Sequence, residues 1–179
     1  MSLISFSQQI QGAIDALEST LEESAVLATN DSIALLRNRI LNEKQDKNNQ
    51  PFGDYSQAVV PKWYFKGKSL SAGAEERVND GGWFQSYKDF REANNLPVDR
   101  KNYSFSGAML RDIGIVSINN DQKKIIVSYG GRSERSAKLI QFNNERDDIN
   151  LLGISQDERD LIIRTQADRL ERILTTFLG

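Results

Sequence analysis

The clearest β-structure signal in this chain lies in residues 110–129, LRDIGIVSINNDQKKIIVSY. Branched apolar side chains recur in residues 110–118 and again in residues 123–129, where they alternate as in a half-buried strand. Three polar residues at 119–121 predict a turn between the two segments, and Gly130-Gly131 is expected to close the second one. The stretch therefore predicts an antiparallel β-hairpin with a polar tip.

The region after the hairpin contains a strong helix-start signal. Ser155 and Glu158 have the spacing of a capping box, in which each side chain satisfies a free backbone N–H group of the first helical turn. The apolar stripe that follows, from Leu161 to Phe177, predicts a long final helix. Before it, residues 136–143 predict a short helix or turn, residues 143–148 an exposed loop, and residues 149–151 a further short strand.

The apolar residues of the N-terminal region recur with the period of an α-helix. Ile10, Ile14, Leu17 and Leu21 follow one helix face, and a second stripe continues to Ile40. Residues 30–32, Asn-Asp-Ser, compete for backbone hydrogen bonds and interrupt the pattern. We therefore expect either one bent helix or two consecutive helices that end near residue 43. This region either packs on neighbouring subunits or, more simply, covers its own sheet.

The middle of the chain, residues 46–102, lacks a regular period and reads as a long inserted loop. It contains all three prolines, both tryptophans and several other aromatic residues. A structureless loop of this length is unusual inside a compact domain. Its aromatic side chains form either a satellite core under the loop or anchors at a subunit interface. A short helix is expected near residues 83–93.

These elements together predict one α+β domain that spans residues 1–179. N-terminal helices precede a small antiparallel sheet built around the β-hairpin, and a long C-terminal helix follows it. The chain has a net charge of -2 and no apolar run long enough to cross a bilayer, and its first residues do not resemble a signal peptide. We therefore expect no membrane association.

Two residue types are missing, and their absence excludes most enzyme templates. The chain has no Cys and no His, which removes thiolate nucleophiles, thiolate metal sites and the usual general base. Acidic residues cluster at 145–148 and 157–160, but without the spacing of a calcium loop. A carboxylate-dependent metal enzyme is one rival interpretation, although an exposed loop and a helix N-terminus explain these acids better. We expect no catalytic residues and no cofactor.

A second rival interpretation is a nucleic-acid-binding module. Lys62, Lys66 and Lys68 interleave with Trp63, Tyr64 and Phe65, a pattern found in strands that stack single-stranded bases. This is one short stretch in an acidic chain, so it supports the idea only locally.

Four segments resemble, in order, the bacteriophage tail-completion (virion morphogenesis) family. That family has a loop of the type G-x-P-W-x-x-x-S, a T/S-G-x-L-R-x-S-I segment before a hairpin, a short A-x-x-H-Q-F-G helix, and F-L-G-L-S-x-x-D/E at the last helix. The corresponding segments here are QPFGDYS at 50–56, SGAMLRDI at 106–113, AKLIQFN at 137–143 and LLGISQDE at 151–158. Gly107 and Gly153 then suit tight turns, and a core is expected from Leu110, Ile113, Ile140, Phe142 and Leu152.

The resemblance implies a structural protein of the virion, made in the host cytoplasm. It would form a homo-oligomeric ring of six or twelve copies in the neck, between the head connector and the tail. The ring would contact other neck, portal or tail proteins, and it would contact passing DNA transiently. Ring closure requires head-to-tail contacts between copies. An acidic subunit suits a channel through which DNA slides, because a basic wall would retain it.

The candidate interface residues lie in the middle loop, at the predicted hairpin tip and just after the hairpin. They are Phe52, Tyr55, Trp63, Tyr64, Phe65, Trp83, Asn119, Asn120, Arg132 and Arg135.

Overall fold

Six α-helices and one β-hairpin make up the fold in the computed structural model, which describes residues 3–61, 65, 70–79, 83–103, 107–121 and 124–178. The elements in chain order are α1 (Leu3–Asn38), a π-helical turn (Arg39–Glu43), α2 (Ala72–Asn79), α3 (Tyr87–Ala93), α4 (Ala108–Arg111), β1 (Ile113–Asp121), β2 (Lys124–Gly131), α5 (Glu134–Asp147) and α6 (Gln156–Leu178). This order confirms the α+β class.

Helix α1 is one continuous helix of 36 residues. The polar residues at 30–32 do not interrupt it, because nearby hydroxyl groups bond within the helix. Thr29 Oγ1 donates to the carbonyl of Ala25 at 2.8 Å, and Ser32 Oγ donates to that of Ala28 at 2.7 Å. The π-helical turn extends the helical path to Glu43, so the expected end is confirmed.

The first strand of the hairpin is shifted by three residues from the prediction: it begins at Ile113 and not at Leu110, because Leu110 and Arg111 belong to α4. Ile113 pairs with Gly131 at its base and Asp121 pairs with Lys124 near its far end, with an irregularity between Ile115 and Ser117. The turn predicted at residues 119–121 is therefore wrong, since all three belong to β1. The amide group of Asn120 donates to Glu22 of α1 at 2.9 Å, which anchors the strand where the turn was expected.

The main core lies between α1, the base of the hairpin, α4 and α5. Its buried residues come from all of these elements and from the loops beside them: Ile33, Leu36, Ile40, Phe52, Met109, Leu110, Ile113, Ile140 and Leu151. Burial of one such large apolar side chain contributes about 1.5–3 kcal/mol. Leu152 packs against this core as expected, but the prediction for Phe142 is wrong because its side chain is 56% exposed.

Helix α5 extends through the predicted exposed loop at 143–148. Ser133 caps its start by accepting from the backbone N–H of Ser136, and the helix continues to Asp147. The strand expected at 149–151 is also wrong. The backbone N–H of Ile149 donates to the carbonyl of Asn144, and that of Leu151 donates to the Asn144 side chain, so this segment forms a turn.

The capping box at the start of α6 is confirmed. The Ser155 N–H donates to Glu158 Oε2 at 2.7 Å, and the Glu158 N–H donates to Ser155 Oγ at 3.2 Å. Glu158 also pairs at 2.9 Å with Arg39, the first residue of the π-helical turn, and Arg169 pairs at 2.9 Å with Asp31 of α1. From the first ion pair to the second, the position moves toward the start of α1 and toward the end of α6. The two helices are therefore antiparallel.

The middle segment has a small core of its own. Phe65, Phe84 and Phe90 are buried together with Ala74 of α2, and the rings of Phe65 and Phe90 are stacked at 3.5 Å between centroids. Helix α3 lies where a short helix was expected, whereas α2 was not predicted. Phe65, Phe84 and Phe90 therefore form a satellite core, whereas Phe52 joins the main core and Trp83 stays exposed, so that the interface alternative remains a prediction for Trp83.

Candidate subunit-interface surfaces

Three of the aromatic candidate residues are buried within the chain itself. Phe52 belongs to the main core and Phe65 to the satellite core, while the Tyr55 ring packs against Tyr87 with 5.8 Å between centroids. The Tyr55 hydroxyl donates to Asn102 Oδ1 at 3.0 Å and accepts from the Asn102 backbone N–H at 3.1 Å. Burial raises the pKa of Tyr55. In this subunit these side chains stabilise the middle segment.

Trp83 differs from the other aromatic candidates because its side chain is 58% exposed. It directly precedes Phe84, which is buried in the satellite core. Trp83 is therefore held at the surface by a buried neighbour. Trp63 and Tyr64 lie outside the residues that the structure describes.

The polar candidate residues lie around the base and the far half of the hairpin. Asn119 and Asn120 belong to β1 and pair in register with Ile126 and Ile125. Arg132 is exposed and contacts Asp112, with Nε 3.3 Å from its carbonyl oxygen. Hydrogen bonds from Ser133 lower the pKa of Asp112 to about 2, so this carboxylate is charged at neutral pH.

The far half of the hairpin exposes three branched apolar side chains, those of Val116, Ile118 and Ile126, and we call Val116 and Ile126 the hairpin surface. Val116 is 51% exposed, and the other two are comparably accessible. Ile126 lies opposite Asn119 whereas Ile118 lies opposite Val127, so the two isoleucines point to opposite faces. The sheet has two strands in the described part of the chain, which leaves an outer edge on each strand.

Helix α5 presents a second surface, which we call the α5 surface. Its five residues have the spacing i, i+3, i+4, i+7, i+11 of one helix face and all are exposed: Arg135, Lys138, Leu139, Phe142 and Arg146. The two apolar side chains lie at the centre and the three cations surround them. The Arg146 guanidinium lies 5.5 Å from the centroid of the Phe142 ring.

The N-terminal half of α1 presents a third surface. Ile10, Ile14 and Leu21 share one helix face and are exposed, and we call them the α1 surface. Residues 3–36 contain five acidic residues and neither Lys nor Arg. The sequence had indicated this stripe as a helix face, and the structure leaves that face uncovered by the described part of the chain.

The acidic residues considered for a metal site do not converge. Asp147 is held by Lys101 at 2.9 Å, Tyr103 at 2.8 Å and Arg146 at 2.7 Å. Burial raises the pKa of Asp147, but these hydrogen bonds outweigh it and keep the pKa well below its usual value. Glu158 is committed to its ion pair with Arg39. Within the described ranges, no group of three or more acidic side chains has the arrangement needed to hold a metal ion.

One depression lies along the C-terminal half of α6. Its lining consists of side chains from that helix alone: Asp168, Glu171, Arg172, Thr175 and Thr176. A single helix face does not enclose a small molecule in the way that ligand sites do. We assign no binding role to it.

Searches of protein families, of curated proteins and of solved structures return no match to this chain. Among the residues that the structure describes, no helix combines the length and the apolar content that a membrane crossing requires.

The α5 surface was missed at the level of sequence because residues 143–148 were expected to be a loop. Once the helix is extended to Asp147, the spacing of Arg135, Leu139, Phe142 and Arg146 identifies a continuous face. The spacing of this face can therefore be read from the sequence. The sequence did not indicate that the polar end of the segment is helical.

Proposed function

We propose that this protein is a structural component of a bacteriophage neck or tail, and that it acts by assembling into a ring around the DNA channel. The ordered resemblance of four segments to the tail-completion family supports the proposal. The hairpin surface is the observation that carries it, because it points to contacts with other protein chains rather than to chemistry on a small molecule.

An exposed hairpin of this kind suits an assembling subunit. A two-stranded hairpin alone is only marginally stable in water. The base of this hairpin is packed in the main core, so its exposed far half is the part that another chain could still cover. Here Val116 and Ile126 are exposed and each strand has an outer edge. Such an edge accepts a strand from another chain through main-chain hydrogen bonds, and nearby apolar side chains add buried area.

A direct test measures the mass of the purified protein by light scattering over a range of concentrations, together with electron microscopy of the protein and of particles that contain it. We expect closed rings. The variant Val116→Ser with Ile126→Ser should shift the distribution toward monomers, because it removes apolar area from the hairpin surface.

The matched control is Val59→Ser, which removes an apolar side chain of the middle segment that is 62% exposed, somewhat more than Val116. It should leave assembly unchanged. A protein that stays monomeric at every concentration and is missing from virus particles would contradict the proposal.

A further inference from the structure

We infer that the α5 surface of one copy binds the α1 surface of the next copy, so that these two unlike faces form the repeating contact of the ring. The inference rests on the proposed function and specifies its interface. It commits to a second copy of this chain as the occupant of the α5 surface.

The α5 surface has the composition of a protein contact with a cationic border. Leu139 and Phe142 are exposed side by side, and Arg135, Lys138 and Arg146 adjoin them, while the exposed Glu134 and Glu145 lie farther around the helix. Aromatic residues and arginine are enriched at the centres of protein interfaces. Half-exposed apolar side chains favour a protein partner over a phosphate backbone, since phosphates do not cover apolar area.

Two of the three cations of this surface are available to a partner. Arg135 makes no ion pair with any described residue. Lys138 pairs with Glu134 one turn away, but both side chains are largely exposed, so the pair is weak and exchangeable. Arg146 is held by Asp147, which Lys101 and Tyr103 also contact. A partner that brings carboxylates would therefore gain contacts at Arg135 and Lys138 without breaking that network.

The α1 surface supplies the complementary charges. Ile10, Ile14 and Leu21 form its apolar stripe. Asp15 and Glu22 are exposed about 100° around the helix from Ile14 and Leu21, and Glu22 also accepts a hydrogen bond from Asn120. The first 36 residues contain no basic side chain at all. An apolar stripe with an acidic border thus matches an apolar pair with a basic border.

The charges also decide how copies pair. Two α5 surfaces would repel each other, as would two α1 surfaces, because like charges brought together are unfavourable. Only the unlike pairing brings opposite charges together. A contact between two different faces of the same chain is heterologous and produces a ring when the rotation closes.

Cysteine cross-linking tests this contact cleanly, because the natural chain has no cysteine. Phe142→Cys is mixed with Ile14→Cys or, in a second sample, with Leu21→Cys, and each mixture is oxidised mildly. The two α1 positions differ by about two helical turns, or roughly 10 Å, and so sample the register of the contact. We expect covalent dimers of unlike subunits in at least one mixture, at tenfold or more the yield of the control pair.

The control pair is Glu23→Cys with Gln141→Cys. Both positions are exposed on the same two helices. Glu23 lies about 180° around α1 from Ile14, and Gln141 lies about 100° around α5 from Phe142. The double variant Ile14→Cys with Phe142→Cys should give a ladder of covalent oligomers that ends at the size of the ring.

The outcomes separate this inference from the proposed function. Rings that form in the wild-type protein but give no cross-link between α1 and α5 above the control overturn the inference and leave the proposed function standing. Cross-linking of Phe142→Cys to itself indicates like faces in contact and also overturns the inference. A wild-type protein that never assembles overturns both.

Discussion

Replacing Arg39 by Met removes the cation at the junction of α1, the middle segment and α6. The Arg39 side chain is 2% exposed. It donates from Nε to Glu158 at 2.9 Å, from one terminal nitrogen to the Gln45 carbonyl at 3.1 Å, and from the other to the Gly153 carbonyl at 2.5 Å. Methionine keeps much of the apolar stem but none of these three donors.

The expected loss of stability is large because Glu158 stays in place without its partner. Removal of one member of a buried ion pair costs about 3–5 kcal/mol, since the other charge remains buried and uncompensated. For a chain of this size, 1 kcal/mol lowers the melting temperature by about 2–4 °C. The Arg39→Met protein should therefore melt roughly 6–20 °C below the wild type.

Urea and thermal unfolding, followed by circular dichroism, measure this difference. Arg169→Met is the matched control, because it breaks the other ion pair between α1 and α6. In that pair the side chains of Arg169 and Asp31 are 32% and 40% exposed, so the loss should be at most about 1 kcal/mol. If Arg39→Met were no more destabilising than Arg169→Met, the role assigned to the buried pair would be refuted.

Two further changes test the fold at other points. Gly131→Ala should destabilise the protein by about 1–3 kcal/mol in urea unfolding, because the new Cβ would lie 2.6 Å from the Ala137 backbone nitrogen. The control Gly12→Ala has open space around it inside α1, so it should be neutral or slightly stabilising. Asp147→Asn should cost roughly 2 kcal/mol at pH 7. Because the pKa of Asp147 is lowered on folding, the stabilisation by this carboxylate is present above about pH 4 and is lost below it. The difference in stability between Asp147→Asn and the wild type should therefore shrink in acid. The control Asp148→Asn, at an exposed position, should change stability little at any pH.

Local signals in the sequence predicted the elements whose stability is local. The capping box of Ser155 and Glu158 gave the start of α6 correctly, because both partners lie within one helical turn. The alternating branched residues predicted the hairpin correctly, because its two strands are neighbours in the sequence. Its turn was misplaced because Asn120 has a tertiary partner, Glu22, which lies 98 residues away in the chain.

The features that sequence did not predict depend on distant partners. Helix α5 continues to Asp147, which Lys101 and Tyr103 hold from the middle segment. The satellite core needs Phe65 and Phe90 to meet, and the region shows no periodic pattern that indicates this. The aromatic candidate residues were predicted at an interface because of their residue type. Residue type alone does not distinguish the buried Phe65 from the exposed Trp83.

The pairing of Arg39 with Glu158 has a consequence for synthesis of the chain. The two residues are 119 positions apart, so at 5–20 residues per second the ribosome takes roughly 6–24 s to make the second after the first. For most of that interval the nascent α1 has neither α6 nor the complete hairpin to cover it. A newly made subunit thus passes through a stage in which chaperones compete with premature association.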